Sequence, residues 1–139
     1  MKIAVGTDDK ETIRRGHFGE SQFYRVIELL NGEIVSKECR QNPNIENKHG
    51  PHDHGQAQKP HALLSDCSLF MAKSMGKKSM VKLAERQIDC IITKHDHIDL
   101  AVAEYLHGNE DAFKYYDARK SALIPCSQRM MNSPNSHIS

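Results

Sequence analysis

Short apolar runs separated by polar turns fill the first part of the chain and predict β-strands. Lys2–Val5 is followed by the loop residues Gly6 to Asp9, and the runs Phe23–Leu30 and Glu33–Arg40 flank Asn31-Gly32. An Asn-Gly pair between two such runs is the strongest short-range hairpin signal, because both central residues of a type I′ turn need positive φ. The sequence therefore predicts a first strand and then a β-hairpin.

Beyond residue 60 the pattern alternates between buried strands and amphipathic helices. Strands are predicted over Cys67–Ala72 and Ile88–Thr93, and helices over Pro60–Ser65, over Lys77–Arg86 and from Ile98 to a stop at Gly108. Asp96 is the predicted N-cap of that last helix. Strands that alternate with helices imply parallel pairing with right-handed crossovers, so we expect an α/β fold.

The C-terminal part differs in pattern and composition. Asn109 is predicted to cap a further short helix through about Arg119, and Cys126 to Ser139 is rich in Ser and Asn. Such a polar segment buries little apolar surface, so we expect a poorly ordered tail.

Charge and composition narrow the classes of function. The 139 residues carry a formal net charge of +1 with 38% hydrophobic content, which disfavours nonspecific nucleic-acid binding. No apolar run approaches the roughly 18 residues of a membrane span, and the start lacks a signal-peptide pattern, so a cytoplasmic location is expected. The four cysteines form no CxxC pair, which argues against a zinc ribbon, a thioredoxin-type site or a disulfide-stapled fold.

Histidine is the most conspicuous candidate for chemistry. Four of the nine histidines lie within residues 49–61, in a segment broken by glycine and proline. Such a tract either captures metal or is a solvated polar loop, and composition leaves both interpretations open.

The predicted topology brings the histidines to one end of the sheet. Ligands of open α/β sheets bind outside the carboxyl ends of the strands, and the loops after residues 5, 72 and 93 share that edge. Helix N-termini near Pro60, Lys77 and Ile98 point to it and favour an anionic guest. Cys67 opens a strand and falls at the far end, so it is discounted as a ligand. The predicted metal ligands at this edge are His17, His49, His52, His54, His61, His95 and His97.

An ordered set of short motifs resembles a known family. The set comprises Gly16-His-Phe-Gly-Glu-Ser21, Phe23-Tyr24, an asparagine-containing stretch leading to His49-Gly50, Leu63-Leu-Ser-Asp-Cys67, Met75-Gly76 and Ala103-Glu-Tyr-Leu-His-Gly108. Together these motifs resemble the dinitrogenase iron–molybdenum cofactor biosynthesis family over residues 1–108, which leaves 109–139 as an extension.

The resemblance implies a fold and a role. The implied fold is ribonuclease H-like, with a mixed five-stranded sheet and flanking helices. The implied role is non-enzymatic binding of a metal–sulfur cluster, such as an iron–molybdenum cofactor precursor, and its exchange with donor and acceptor proteins; a homodimer is possible. His17 is carried over as a cluster contact. The candidate cofactor-binding residues are Gly6, Thr7, Gly16, His17, Phe18, Gly19, Met75 and Gly76.

Other interpretations compete with this one. The loop Ala72-Lys-Ser-Met-Gly76 has less glycine than that of many relatives, which weakens the case for close cluster approach there. The His-rich loop alone would suit a zinc- or nickel-buffering protein. A ribonuclease H-like nuclease would need several converging carboxylates, and the edge loops offer only Asp8, Asp9 and Asp96. His17 could also be a turn residue bonded to backbone, and His95 and His97 could merely flank a capped helix.

Overall fold

The computed structural model describes residues 1–43 and 63–126. The strands are β1 Lys2–Thr7, β2 Phe23–Leu30, β3 Glu33–Gln41, β4 Leu69–Ala72, β5 Asp89–Thr93, β6 Phe113–Asp117 and β7 Ala122–Pro125. The helices are α1 Lys77–Glu85 and α2 Ile98–Leu106, with 3₁₀ turns at Phe18–Glu20 and Glu110–Ala112.

The described strands form one mixed sheet in the order β3-β2-β1-β4-β5-β6-β7. Strands β1, β4 and β5 are mutually parallel, as the alternating pattern predicts, and β2 runs antiparallel to β1. The mixed α/β class is therefore confirmed. The sheet has seven strands, so the expectation of five is wrong, and the ribonuclease H-like assignment stays a prediction.

The hairpin prediction is confirmed in detail. Strands β2 and β3 pair antiparallel across Asn31-Gly32, whose φ angles are 55° and 79°. Both central residues therefore occupy the left-handed region that a type I′ turn demands, and glycine adopts it without the steric penalty of a Cβ.

The helix predicted from Asn109 to about Arg119 is wrong. After a single 3₁₀ turn the chain enters β6, which pairs with β5, and β7 then pairs with β6. The sequence Phe113-Lys-Tyr-Tyr-Asp117 is rich in aromatic residues that favour strands, and Phe113 is only 1% exposed. The open edge of β5 offers backbone partners, so tertiary pairing extends the sheet past residue 108. Cys126, predicted within the poorly ordered tail, is 4% exposed.

Helices α1 and α2 cover opposite faces of the sheet. Side chains alternate along each strand, so successive residues enter different cores. The core beneath α1 includes Ala4, Tyr24, Phe70, Cys90, Met80 and Leu83. The core beneath α2 includes Ile3, Val5, Met71, Ile91, Ile98 and Val102.

The ends of α2 test two local predictions. Gly108 has a φ of 77° just beyond the helix, which confirms it as the stop. The predicted Asp96 cap is wrong, because the N-cap position is His97 and no side chain bonds there. The Asp96 carboxylate instead pairs with Lys73 and Arg15. The carboxylate pairs with these two cations and does not bond to the first amides of the helix.

Some predictions fall outside the described residues. These are the first half of the helix at Pro60–Ser65, the tail from residue 127, and His49, His52, His54 and His61. In the parts of the chain that the structure does describe, no helix has the length and apolarity to cross a membrane.

Candidate functional site

A cavity of about 690 Å³ lies at the carboxyl end of β4, on the α1 face of the sheet. One wall is the segment His17–Gly19, the other is α1 with the turn that precedes it, and Phe70 belongs to the floor. Five of the eight candidate cofactor-binding residues line it: His17, Phe18, Gly19, Met75 and Gly76.

The wall that carries His17 is fixed from beneath by an aromatic anchor. The Phe18 ring lies between Tyr24 and Phe70, with centroid distances of 5.1 Å and 4.8 Å. The Phe18 carbonyl accepts hydrogen bonds from Tyr24 Oη at 2.9 Å and from Ser21 Oγ at 2.8 Å. Burial raises the pKa of Tyr24, so the phenol stays protonated and remains a donor.

Asn42, at the end of β3, holds the same segment from the other side. Its buried amide nitrogen donates to the Gly19 carbonyl at 3.1 Å and the Ser21 carbonyl at 2.7 Å. Sequence reasoning missed Asn42, because an asparagine in a polar stretch gives no sign that it will be buried. The signal available was the asparagine-containing stretch that leads to His49-Gly50, since buried backbone carbonyls need donors and an asparagine amide is one.

Gly6 and Thr7 support the cavity without lining it. A Cβ on Gly6 would lie 2.2 Å from Ser21 Oγ, so glycine is required for the His17 segment to pack against β1. The Thr7 hydroxyl donates to Asp9 and accepts from the Lys10 amide, which starts the loop that follows β1. Gly16 lies beside Arg14 and lines a separate depression with Asp96.

Arg14 fixes the backbone of His17 and leaves the imidazole exposed. Its Nε donates to the His17 carbonyl at 3.0 Å, its Nη1 donates to Asp8 at 2.5 Å, and its Nη2 lies 3.7 Å from Glu20. His17 is itself exposed, at the N-cap of the 3₁₀ turn, and its side chain makes no capping bond. The backbone is thus held in place while the imidazole stays exposed beside the cavity.

The opposite wall combines a helix N-terminus with polar and charged side chains. Helix α1 begins after Gly76, which has no side chain to cap the first amides, and Ser79, Lys82 and Arg86 line the cavity along the helix. The uncapped N-terminus carries partial positive charge and favours anions.

The cysteines are unlike reactive thiolates. Cys90 Sγ lies 3.7 Å from the sulfur of Met75, and burial raises the pKa of Cys90 to about 12. Cys67 precedes β4 at the opposite end of the sheet, as predicted, and burial raises its pKa to about 11. Both thiols are therefore protonated near neutral pH.

His95 and His97 lie away from the cavity, on the α2 side. The loop between β1 and β2 folds over this side, where Ile13 N donates to the Asp96 carbonyl at 2.7 Å and Ile98 N donates to the Glu11 carbonyl at 2.9 Å. His97 lines a small depression with Arg25 and Asp99, and the His95 ring packs 5.6 Å from Phe113, a member of the α2-side core.

The prediction that seven histidines lie together at one edge of the sheet is not met by the three that the structure describes. The structure places His17 on one face and His95 and His97 on the other, and the four loop histidines lie outside the described residues. Within residues 1–43 and 63–126, no group of three His, Cys, Asp or Glu side chains is arranged to hold a metal ion. The roles of these residues as ligands stay predictions.

These features define a small α/β protein with a cavity at the carboxyl edge of its parallel strands and an exposed imidazole at that cavity. The chain belongs to the dinitrogenase iron–molybdenum cofactor family, whose sequence pattern matches residues 1–108. The resemblance of the sequence motifs is thereby confirmed.

Comparison with known proteins finds a relative and similar solved structures. An uncharacterized protein of Methanocaldococcus jannaschii is 26% identical over 116 residues, covering 82% of this chain and 92% of that protein. A crystal structure from the same organism, provisionally described as a dinitrogenase, matches with a TM-score of 0.57 at 15% identity, over 78% of this chain and 89% of its own. An NMR structure from Thermotoga, provisionally described as a NifB protein, matches with a TM-score of 0.52 at 15% identity, over 77% and 88% of the two chains. These two structures show a shared fold.

Proposed function

We propose that this protein binds a metal–sulfur cluster as cargo, an iron–molybdenum cofactor precursor or a related cluster, and passes it on without catalysing a reaction. The observation that carries the proposal is the exposed His17 imidazole beside a cavity of about 690 Å³, in a chain of this family. Proteins of cofactor biosynthesis would be its donors and acceptors.

The donor set suits exchangeable cargo better than a resident metal ion. A structural zinc site uses a closed set of four ligands that leaves no open position. The described cavity offers one imidazole, the half-buried thioether of Met75 and the open space at Gly76, where a Cβ would meet nothing within 4 Å. A cluster held at one point with room around it can be taken over by a second protein, which is what delivery requires.

The non-enzymatic part of the proposal is an expectation from the sequence, where no paired carboxylates suggest acid–base work. Glu85 is the single carboxylate among the described residues that line this cavity, and His17 is the single imidazole. Cys90, whose sulfur lies against that of Met75, is protonated near neutral pH, so it is not poised as a nucleophile.

The test is anaerobic production of the full chain with iron, sulfide and molybdate. We expect visible charge-transfer absorption with bound iron and sulfide, and His17→Ala should lose most of it. His107→Ala is the matched control, since His107 is exposed at the C-cap of α2 and should keep its cargo. Metal content is measured by mass spectrometry on anaerobically purified protein.

A different result would favour the buffering alternative suggested by the His-rich tract at residues 49–61. Colourless protein that binds only zinc or nickel, with affinity lost on deleting residues 48–55 and kept in His17→Ala, would overturn cluster carriage. Transfer is tested separately, by mixing loaded protein with a chelator-stripped acceptor cluster protein and following loss of the colour from the carrier.

A further inference from the structure

The two edges of the sheet differ in how much backbone they leave open. Strand β3 lies at one end of the strand order, and among the described strands it pairs only with β2. Eight of its nine residues are exposed. At the other end, β7 has four residues and closes with Pro125, which has no N–H to offer a further strand. The β3 edge is therefore the longer template for another strand.

The ladder with β2 shows which backbone groups of β3 point outward. The Asn42 N–H donates to the Gln22 carbonyl at 3.0 Å, so these two residues form a hydrogen-bonded pair. Hydrogen-bonded pairs alternate along an antiparallel ladder, so residues 36, 38 and 40 also bond to β2, as far as the register shift at Val35. The N–H and C=O groups of Lys37 and Cys39 therefore point away from β2. We call this side of residues 36–40 the open edge.

The charges on β3 favour one way of pairing the open edge with a second copy of itself. Two identical antiparallel strands are related by a twofold axis, which passes through one residue because outward-pointing groups must meet outward-pointing groups. An axis at Lys37, Glu38 or Arg40 places like charges directly opposite each other, which is destabilising. An axis at Cys39 instead places Glu38 of each copy opposite Arg40 of the other. This register is complementary in charge at two places.

The ends of the open edge exclude the neighbouring registers. An axis at Ser36 brings Val35, the extra residue at the register shift, into the pairing. An axis one residue beyond Arg40 places Pro43 opposite Cys39, and proline has no N–H to exchange with that residue. Backbone and charge therefore agree on the axis at Cys39.

We propose that two copies of this protein pair antiparallel along the open edge of β3, with the twofold axis at Cys39, and form one continuous sheet. The Arg40 guanidinium is already positioned for this role, because Asp66 of its own chain accepts from it at 2.7 Å. Val26, which lies opposite Glu38, belongs to the core beneath α1, so the contacts between Glu38 and Arg40 lie on the α1 face. The cavity is lined from other elements, and both copies present it on the same face of the joined sheet.

Cys39 provides a direct test of the register. All four cysteines are described and free, and Cys39 is the one that is exposed. The proposed axis places the two Cys39 side chains opposite each other, with Cβ atoms about 5 Å apart. Diamide, which oxidises two thiols to a disulfide and is itself reduced to the hydrazine, should convert the full chain to a disulfide-linked dimer on a nonreducing gel. Cys39→Ser should give none.

The matched control moves the thiol along the same face of the same strand. Lys37→Cys in the Cys39→Ser background places an exposed thiol two residues away. In the proposed register the two copies of this thiol lie about 13 Å apart along the strands. That separation is far outside disulfide geometry, so the variant should cross-link roughly tenfold more slowly than the parent.

Sedimentation equilibrium of the reduced full chain tests the pairing without cross-linking. The parent should approach twice the mass of one chain as its concentration rises. Glu38→Lys turns both contacts with Arg40 of the other copy into like-charge contacts and should weaken the dimer roughly tenfold. Glu33→Lys makes the same change of charge on β3 beyond the register shift, and it should leave the dimer unchanged.

Each result separates the pairing from its register. A monomeric mass at every concentration, with Cys39 cross-linking no faster than the Lys37→Cys control, would overturn the proposal. A dimer that cross-links equally at both positions, or that Glu38→Lys and Glu33→Lys weaken equally, would overturn the axis at Cys39. The inference is independent of cluster binding, which His17→Ala tests.

Discussion

The two sides of the carboxyl edge share the same order of elements, but one side is open and the other is covered. On each side a strand is followed by a loop and the N-terminus of a nine-residue helix, with histidine nearby. On the α1 side the edge opens into a cavity with His17 at its wall. On the α2 side the loop after β1 bonds to the β5–α2 turn and covers it.

What differs is where the chain between β1 and β2 is anchored. Its first half contacts the α2 side through Ile13, which is 4% exposed in the core there. Its second half crosses to the α1 face, where Phe18 enters the other core. One loop thus fills one side and builds a wall of the other. A histidine and a helix N-terminus are therefore insufficient to define a site, because packing decides which side stays open.

The largest expected effect on stability lies on the α2 side, which the loop between β1 and β2 covers. Ile13→Ala removes a buried side chain and should lower the free energy of unfolding by about 3 kcal/mol. Because Ile13 packs beneath α2, cargo loading of the folded variant should be retained. Urea unfolding measures the loss, with Ile34→Ala, at 37% exposure, as a control expected to change little. Loss of cargo in a fully folded Ile13 variant would contradict the independence of the two sides.

On the α1 side, Gly6→Ala should lower both the stability of the fold and the amount of cargo that the protein binds. The added Cβ meets Ser21 Oγ and displaces the His17 segment, at a cost of about 2 kcal/mol. Gly76→Ala is the control for stability, since nothing lies within 4 Å of its Cβ and its φ of −65° suits alanine. Thermal unfolding of both variants makes the comparison. Equal stability of the two would show that the contact at Gly6 relaxes freely.

The smallest effect concerns acid stability of the covering loop. Asp9 accepts hydrogen bonds from the Thr12 amide and hydroxyl and from the Glu11 amide, and the bond from the Thr12 amide is the largest cause of its lowered pKa. A carboxyl with a depressed folded-state pKa stabilises the fold above its unfolded pKa of about 3.9, and loses that contribution as pH falls further.

Asp9→Asn should therefore be less stable than the parent near pH 7, with a difference that narrows below about pH 4. Urea midpoints at pH 7, 5 and 3 measure it. A difference that stayed constant across this range would show that the charge of Asp9 contributes nothing to the loop.

Local sequence was enough to predict an element where a single short segment determines its conformation. Asn31-Gly32 specified its hairpin, Gly108 ended α2, and alternating apolar runs placed the parallel strands, because turn geometry and strand burial depend on neighbouring residues. The GHFGES motif singled out a segment of which His17, Phe18 and Gly19 line the cavity, while its role as a cluster contact stays a prediction.

The sequence by itself determined the α/β class, the family and the segment that presents His17. Only the tertiary structure decided that β6 and β7 extend the sheet, that Asn42 anchors the His17 segment, and that His95 and His97 lie on the other face. Each of these depends on partners distant in the chain: an open strand edge, buried carbonyls that need a donor, and a loop that fills one side of the sheet. The local pattern of residues does not predict such distant partners.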